Sequence, residues 1–331
     1  MKHNLTKIFL TIVLGIICLP QLSKAQGFDS TQIGKEYPYA LPILGKKAYA
    51  RGYKFQLPHG LMVNGFTTKQ NIILENFQLA FTDPGGVPDF DRFQDLADII
   101  VFGPSSGRIS TFNVRADTWI LPFLNIGGMY GRIKGEQVIT LTSPINLSST
   151  TPLDGSYYGM TLLGVAPLGP INLSLDYTAS WVTNDRLDAP VRTDVAGVRA
   201  IKLWPIGNKP DMFIGAWVGM QFQRLGAQTS GNIPLNEALD PDGNFQENVD
   251  NWYDGLTALQ KAAYGDRVYE GLNNLVNTTV HYKFEKRLEY EYNMLIGGQW
   301  QINRTWQLRT EYGFLKSKQQ VMLSLNYRFG L

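Results

Sequence analysis

QVMLSLNYRFGL, residues 320–331, alternates between two kinds of side chain. One set is apolar or aromatic and contains Val321, Leu323, Leu325, Tyr327, Phe329 and Leu331. The other is polar or small and contains Gln320, Ser324, Asn326, Arg328 and Gly330, and only Met322 breaks the pattern. Because successive side chains of a strand point to opposite faces, this pattern predicts a strand with one apolar face. That face either packs on a soluble core or faces the lipid around a membrane barrel.

The same period recurs through much of the chain. It is clearest in INLSLDYTASW (171–181), EYEYNMLIGGQWQI (289–302) and RTWQLRTEYGF (304–314), and the last two meet at Asn303, a residue typical of turns. Further candidate strands are 60–69, 71–82, 107–116, 121–133, 157–166, 193–204, 212–223 and 277–285, with 97–103 as a possible addition. Bacterial single-chain barrels have an even number of strands. We therefore predict an all-β fold, a closed antiparallel transmembrane β-barrel of about 12 strands.

Strand length favours the membrane over a soluble core. The runs extend over roughly 10–14 residues, whereas soluble strands average about 5–6 and tilted membrane strands need about 9–11. Aromatic residues such as Trp300, Trp306 and Phe314 lie near the ends of the apolar faces, as in the interfacial girdles of membrane barrels. Charged side chains on the polar faces would be costly in a soluble core but are tolerated in a wet, charge-paired interior. A secreted soluble β protein is the alternative.

The first 25 residues have the features of a secretory signal peptide. Lys2 and Lys7 make the N-terminus basic, and the apolar run 8–20 follows. The small residues in Ser23-Lys24-Ala25 predict cleavage before Gln26. A lipoprotein signal that uses Cys18 is the less favoured alternative. Cys18 is the only cysteine, so the mature chain would have no disulfide. The signal carries three lysines and no acidic residue, so the formal charge of +2 falls close to zero, which argues against a nucleic-acid partner.

These features together resemble the bacterial outer-membrane β-barrel superfamily: a signal peptide, amphipathic strands and a last strand that contains YRF. The resemblance implies a location in the outer membrane of a Gram-negative bacterium, with outer-membrane lipid around the barrel. It also implies that the barrel-assembly machinery reads the last strand, through Tyr327, Phe329 or Leu331. Most members end on an aromatic residue, whereas here Phe329 lies two positions before the final Leu331.

Two regions lack the strand period. We interpret residues 26–58 as a periplasmic lead-in or a lumen plug, and residues 59–331 as the barrel, with a long insertion at 225–276. Helical spacing predicts a short helical insertion around 252–276. Counting strands back from the C-terminus places this insertion on the periplasmic side, where turns are normally short. Either 277–285 is not a full strand, or the insertion enters the barrel from below.

Signals for enzymatic chemistry are weak. His281, in TVHYKF, is predicted to face inward with Lys283, opposite Val280, Tyr282 and Phe284, and is a weak candidate for the base of an outer-membrane lipid hydrolase. A polar lumen residue is the favoured interpretation of this histidine. The sequence contains no GxGxxG, P-loop, HExxH or GxSxG motif, and we expect no cofactor.

DPDGNFQENVDN (240–251) is a weak metal candidate. It places Asp240, Asp242 and Asn244 at calcium-loop spacing, but Phe245 and Asn251 replace the glycine and glutamate that such a loop requires. An ordinary turn is the favoured interpretation.

The polar faces predict which side chains line the interior: Asp176, Glu291, Gln299, Arg309, Glu311, Asn326 and Arg328. Such a mixture of signs either shapes ion passage or neutralises a closed interior. The favoured function is a narrow or plugged channel or transporter for a small solute. The alternatives are a lipid hydrolase that uses His281 and a structural barrel that transports nothing.

Overall fold

The computed structural model describes residues 33–82, 86, 93–95, 101–143, 147–184, 187, 189–207, 209–226, 228–234, 245–266, 269–270 and 279–331. The strands among these residues form one antiparallel sheet. Its strands are β1 His59–Thr82, β2 Gln94–Asp95, β3 Val101–Phe102, β4 Ser105–Leu121, β5 Leu124–Ser143, β6 Leu147–Leu168, β7 Ile171–Thr183, β8 Val191–Ile206, β9 Lys209–Leu225, β10 Gln228–Pro234, β11 Thr279–Leu288, β12 Tyr292–Gln301, β13 Trp306–Leu315 and β14 Lys318–Phe329.

The sheet closes on itself through its first strand. One edge of β1 pairs with β14, from His59 opposite Phe329 to Lys69 opposite Gln319, and its other edge pairs with β4. The wall therefore contains ten strands, in the order β1, β4, β5, β6, β7, β8, β9, β12, β13, β14. Two further strands, β10 and β11, extend the sheet beside the second half of β1. The predicted closed antiparallel barrel is confirmed, as ten wall strands with β10 and β11 added beside the second half of β1, while the two-residue strands β2 and β3 pair with β1 and β5.

The two faces of the wall have opposite polarity. Outward side chains form an apolar surface, with Leu323 56%, Val218 61% and Met160 68% exposed. Inward side chains on the same strands are buried and polar, as Ser324, Asn326 and Gln221 illustrate. A soluble β protein buries its apolar face, so this inverted arrangement suits a barrel with lipid outside.

Aromatic side chains form belts near both ends of the wall. We call the end at which β14 finishes the C-terminal end, and the opposite end the distal end. Near the C-terminal end, the Trp306 and Tyr327 rings lie 4.9 Å apart. Near the distal end, the Tyr158 and Trp181 rings stack at 5.5 Å. Amphipathic rings favour the two membrane–water interfaces, and the belts mark the levels at which these would lie.

Short turns join the strands at the C-terminal end. Asn303 stabilises one of them, because its side-chain oxygen accepts hydrogen bonds from the backbone N–H groups of Thr305 and Trp306, both at 2.8 Å. This agrees with the turn predicted at that residue.

The long insertion leaves the wall at the distal end. β9 ends at Leu225 and β12 begins at Tyr292, opposite Phe222, so the whole intervening segment starts and returns at that end. Counting strands back from the C-terminus had placed the insertion at the periplasmic end because 277–285 was counted as a strand of the wall. This segment forms β11, which pairs with the second half of β1 and is not one of the ten wall strands. The predicted helical insertion is confirmed: α2 Phe245–Asp254, α3 Ala258–Gln260 and a π-helical turn Lys261–Gly265. Among the described residues, no helix is long and apolar enough to cross a bilayer.

Residues 33–58, which we call the cap, lie across the C-terminal mouth. They contain one short helix, α1 Gly45–Tyr49. The Ile43 N–H donates to the carbonyl of Ile120 at 2.7 Å, and Lys54 pairs with Asp211 at 2.7 Å. Ile120 ends β4 and Asp211 begins β9, on opposite sides of the ten-strand wall. The described part of the predicted lead-in or plug thus crosses the mouth from one side to the other.

Candidate lumenal site

A charged cluster occupies the middle of the lumen. The Arg199 guanidinium donates to both carboxylate oxygens of Glu311, at 2.6 and 3.1 Å, and also to Asp176. The buried Trp217 indole donates to Glu311 at 2.8 Å. We call Asp176, Arg199, Trp217, Arg309 and Glu311 the central cluster. Its side chains come from β7, β8, β9 and β13, so the cluster connects separate parts of the wall.

Arg309 is the member of this cluster without a carboxylate partner. Its guanidinium lies over the Trp217 ring, 5.3 Å from the centroid, and its buried Nε has no hydrogen-bond acceptor in the described structure. Both oxygens of Glu311 are already used by Arg199. Nearby Arg115 donates to Asn125 at 3.3 Å, and its Nε forms no hydrogen bond there but lies 3.9 Å from Asp117, with which it forms an ion pair.

A second network closes the lumen near the C-terminal end. Arg328 donates to Asp117 at 3.1 Å and to the carbonyls of Leu57 and Pro58 at 2.9 and 3.3 Å. Asn125 donates to the same carboxylate at 2.6 Å. Arg328 and Asp117 are both almost completely buried. Because Leu57 and Pro58 belong to the cap, this network joins the cap to the wall.

Amide side chains fill the interior beside β9 and β14. The Gln320 amide donates to Gln221 at 2.8 Å, and the Lys318 ammonium donates to Gln223 at 2.7 Å. These four side chains connect two strands that are not neighbours in the wall, since β12 and β13 lie between them. They occupy part of the lumen with direct protein contacts.

The rest of the distal lumen is a cavity of about 490 Å³. Arg115, Asp176, Arg199 and Arg309 line its charged floor. The walls contain the charged residues Glu136 and Lys286, but most of their surface is apolar. The apolar residues of the walls include Ile72, Ile109, Ile133, Ile139, Val182, Val195, Tyr282 and Phe284. Ile139 and Val182 lie within the last few residues of β5 and β7 at the distal end, so the cavity extends to that end of the barrel.

The predicted interior residues take different places. Asp176 and Arg309 line the cavity, whereas Glu311, Asn326 and Arg328 are buried within the barrel. Gln299 occupies the inward face of β12, where its side chain lies beside Gly215. Glu291 lies just before β12, where its carbonyl accepts from the Gln223 N–H at 2.7 Å. Arg328 does not join Arg309 and Glu311, because it pairs with Asp117 nearer the C-terminal end.

The predicted orientation of β11 was wrong. Tyr282 and Phe284, expected to face lipid, line the cavity instead. His281 is buried on the other face, where its Nε2 lies 2.8 Å from the Thr82 hydroxyl. The assignment failed because β11 continues the sheet beside the distal half of β1, where the face that carries Tyr282 and Phe284 lines the cavity.

The weak metal candidates Asp240, Asp242 and Asn244 lie outside the described residues. Within the described ranges, no group of three metal-ligating side chains comes together. The predicted assembly residues Tyr327 and Phe329 stack outward, with ring centroids 6.0 Å apart, and Leu331 is exposed.

The sequence analysis did not identify Arg115, Asp117, Arg199 or Trp217. A signal existed for the first two: in FNVRA the apolar Phe112, Val114 and Ala116 occupy alternate positions, which leaves Arg115 and Asp117 on the inward face. Trp217 gave no such signal, because an aromatic residue on the inward face interrupts the expected alternation.

No family model and no curated protein matches the chain. Among solved structures, it is similar to the β domain of the Bordetella autotransporter BrkA, with 6% identity, 82% of this chain and 100% of that chain covered, and a TM-score of 0.37. An outer membrane channel from Pseudomonas putida F1 gives 8% identity, 83% and 97% coverage, and a TM-score of 0.30. The transport unit of AIDA-I from Escherichia coli gives 9% identity, 83% and 90% coverage, and a TM-score of 0.33.

The closed sheet itself therefore identifies the fold. Ten antiparallel strands, an apolar exterior and a polar interior occur together in this chain. That combination is the architecture of the bacterial outer-membrane β-barrels.

Proposed function

We propose that this chain is a narrow, plugged channel or transporter of the outer membrane, which takes up a small solute at its distal end. The observation that carries the proposal is the cavity of about 490 Å³ in the distal lumen. Its volume lies within the range of about 300–1,000 Å³ typical of small-molecule sites. Export through a cleaved signal, insertion by the barrel-assembly machinery and a periplasmic C-terminal end belong to the same proposal.

The closed half of the lumen determines what passage requires. The central cluster, the network around Arg328 and the cap all lie between the cavity and the C-terminal end. A solute that enters the cavity reaches the other side only if these contacts rearrange. Ten strands also enclose a narrow interior, since eight-stranded barrels are filled by side chains and open porins have 16–18 strands. We therefore expect low, solute-dependent flux and no large steady conductance.

A barrel that transports nothing is the second candidate, and the same closure favours it. Liposome swelling with small neutral and anionic solutes separates the two candidates. Folded wild-type protein that gives no swelling above empty liposomes with any of these solutes would support the structural barrel and contradict the proposal.

A matched pair of variants tests whether the cavity is the route. Thr111 lines the cavity, and its neighbour Ser110 is exposed on the outer face of the same strand. Thr111→Trp should abolish solute flux by filling the cavity, whereas Ser110→Trp should leave it unchanged. Equal flux through both variants would show that the solute does not pass through this cavity.

A further inference from the structure

We infer that the solute has an apolar body and one anionic group, and that Arg309 binds the anionic group. The inference rests on the channel or transporter function proposed above and names the class of solute. It follows from the charge balance at the cavity floor and from the apolar walls above it.

The cavity floor has more cations than anions. Arg115, Arg199 and Arg309 line it together with Asp176, and the Arg199 guanidinium spans between Asp176 and Glu311. No described carboxylate forms an ion pair with Arg309: the charges of Glu311 and Asp176 lie within its electrostatic reach, but so do those of Arg199 and Arg115, and Arg199 already binds both carboxylates. Asp117, beyond the floor, pairs with Arg115 at 3.9 Å and is also held by Arg328 and Asn125, so it leaves Arg309 without a partner.

An unpaired guanidinium in such a place favours an anion. A buried charge is costly unless it is paired and hydrogen-bonded. Glu311 and Asp176 are engaged by Arg199, so their attraction for Arg309 and the cation–π contact with Trp217 compensate only part of that cost. Guanidinium groups bind carboxylates through two parallel hydrogen bonds, and charge-assisted bonds of this kind are stronger than neutral ones. The buried Nε of Arg309 supplies a donor that has no acceptor among the described residues.

The walls select the rest of the solute. Ile109, Ile133, Val195 and Phe284 line the cavity above the floor. A solute that is polar throughout would lose hydration against these side chains without replacing its hydrogen bonds. An alkyl or aryl carboxylate loses hydration only where Arg309 compensates for it. A medium-chain carboxylate therefore fits both parts of the cavity.

Octanoate, octanol and octylammonium test the inference, because they share one apolar body and differ in charge. Binding of each compound to the full chain in lipid nanodiscs is measured by equilibrium dialysis, with empty nanodiscs subtracted. We expect octanoate to bind at least about tenfold more tightly than octylammonium, with octanol between them. Equal binding of octanoate and octylammonium overturns the inference.

Two variants assign the anionic site. Arg309→Met keeps a long side chain without charge and should weaken octanoate binding at least about tenfold while changing octanol binding less than about twofold. Arg132→Met is the matched control, because Arg132 is 64% exposed and pairs with Asp154 at 3.1 Å. It should bind octanoate as the wild type does. Unchanged octanoate binding by a folded Arg309→Met protein excludes Arg309 as the anion site.

The experiments distinguish a failure of the inferred solute class from a failure of the proposed channel function. If Arg309→Met does not fold, Arg309→Lys keeps the charge and should retain the preference for octanoate over octylammonium, and loss of that preference counts against the inference. If the wild type gives flux of neutral solutes but binds no octanoate, the inference fails and the channel stands. If neither flux nor binding is found, both fail.

Discussion

The two halves of the lumen differ in both polarity and packing. Toward the C-terminal end, the inward side chains form ionic and amide contacts with one another and with the cap. Toward the distal end, they are mostly apolar and surround a cavity. A single strand shows the change: the inward residues of β4 run from Ile109 through Thr111 and Asn113 to Arg115 and Asp117.

This difference shows that a lumen lined by polar side chains is not necessarily filled with water. In the C-terminal half, polar side chains such as Arg328, Asp117 and Asn125 bind one another directly, so they close the barrel instead of holding open a water-filled pore. In the distal half, apolar side chains remain in a space that they do not fill. The fold provides one inward face, and the residue types along each strand divide that face into a closure and a binding cavity.

The largest expected effect comes from breaking the central cluster. Glu311→Gln removes the charge that pairs with Arg199, and breaking a buried pair typically costs 3–5 kcal/mol. We expect the free energy of unfolding to fall by about 3 kcal/mol, measured by urea titration in lipid vesicles with tryptophan fluorescence. The Trp217 signal should also change, since its indole donates to Glu311.

Glu75→Gln is the matched control for that change. Glu75 pairs with Arg287 at 2.8 Å, but the two side chains are 47% and 52% exposed, so their interaction is screened by water. We expect less than about 1 kcal/mol of destabilisation. If the two variants lose equal stability, the central cluster does not hold the barrel closed.

A pair of glycines tests the difference in packing. A Cβ on Gly297 would lie 2.5 Å from the Trp217 ring and 2.7 Å from the Thr310 carbonyl, whereas a Cβ on Gly107, in the cavity wall, would meet only one atom within 4 Å, at 3.9 Å. Gly297→Val should therefore cost about 1–3 kcal/mol of unfolding free energy by overpacking.

Gly107→Val should leave the unfolding free energy unchanged or raise it slightly. Glycine weakens the interior of a strand, and the cavity leaves space for the valine side chain. The same urea titration measures both variants. Similar losses in both would contradict a cavity beside β4.

The sequence predicted the wall better than the lumen. Alternation in 320–331 and 304–314 indicates that one face of each strand contacts lipid. The pattern is regular on that face because lipid tolerates few polar side chains. The inward face has no such uniform solvent. Trp217, Tyr282 and Phe284 face inward in this barrel, and an alternation rule assigns such residues outward.

Pairing across the lumen was also beyond the sequence. Arg309 and Glu311 share one face of β13 and were both predicted to line the interior, yet Glu311 pairs with Arg199 from β8. The partner depends on which strands lie across the closed cylinder, and the strand count left that open. The position of β11 beside β1 was hidden for the same reason.

The junction between cap and wall depends on the shape of one guanidinium. Arg328→Lys keeps a positive charge for Asp117, but an ammonium cannot reproduce the separate donors that bind Leu57 and Pro58. We expect a loss of about 1–2 kcal/mol in unfolding free energy and faster protease cleavage within the cap. Cleavage at the wild-type rate, with the barrel intact, would show that the cap is held without Arg328.

Arg224→Lys is the control, because Arg224 lies at the distal end of β9, far from the cap. It should change neither the cleavage rate nor the unfolding free energy.

The smallest effect is expected at Tyr37, in the aromatic centre of the cap. Its ring lies 5.3 Å from those of Tyr49 and Phe55, and its hydroxyl donates to the Leu41 carbonyl at 3.0 Å. Tyr37→Phe should cost about 1 kcal/mol near neutral pH by removing that hydrogen bond. Tyr53→Phe, at a position 45% exposed, should cost less.

The pH dependence gives this variant a sharper test. Burial raises the pKa of Tyr37 from 10.0 to about 12. The protonated phenol is the form that the folded cap stabilises, so its contribution is complete below pH 10 and is lost as the pH rises toward 12. Protease cleavage of the wild-type cap should therefore accelerate across that interval, and Tyr37→Phe should show a smaller change. The same acceleration in both proteins would place the titrating group elsewhere in the C-terminal half, and the cap would then not depend on a buried phenol.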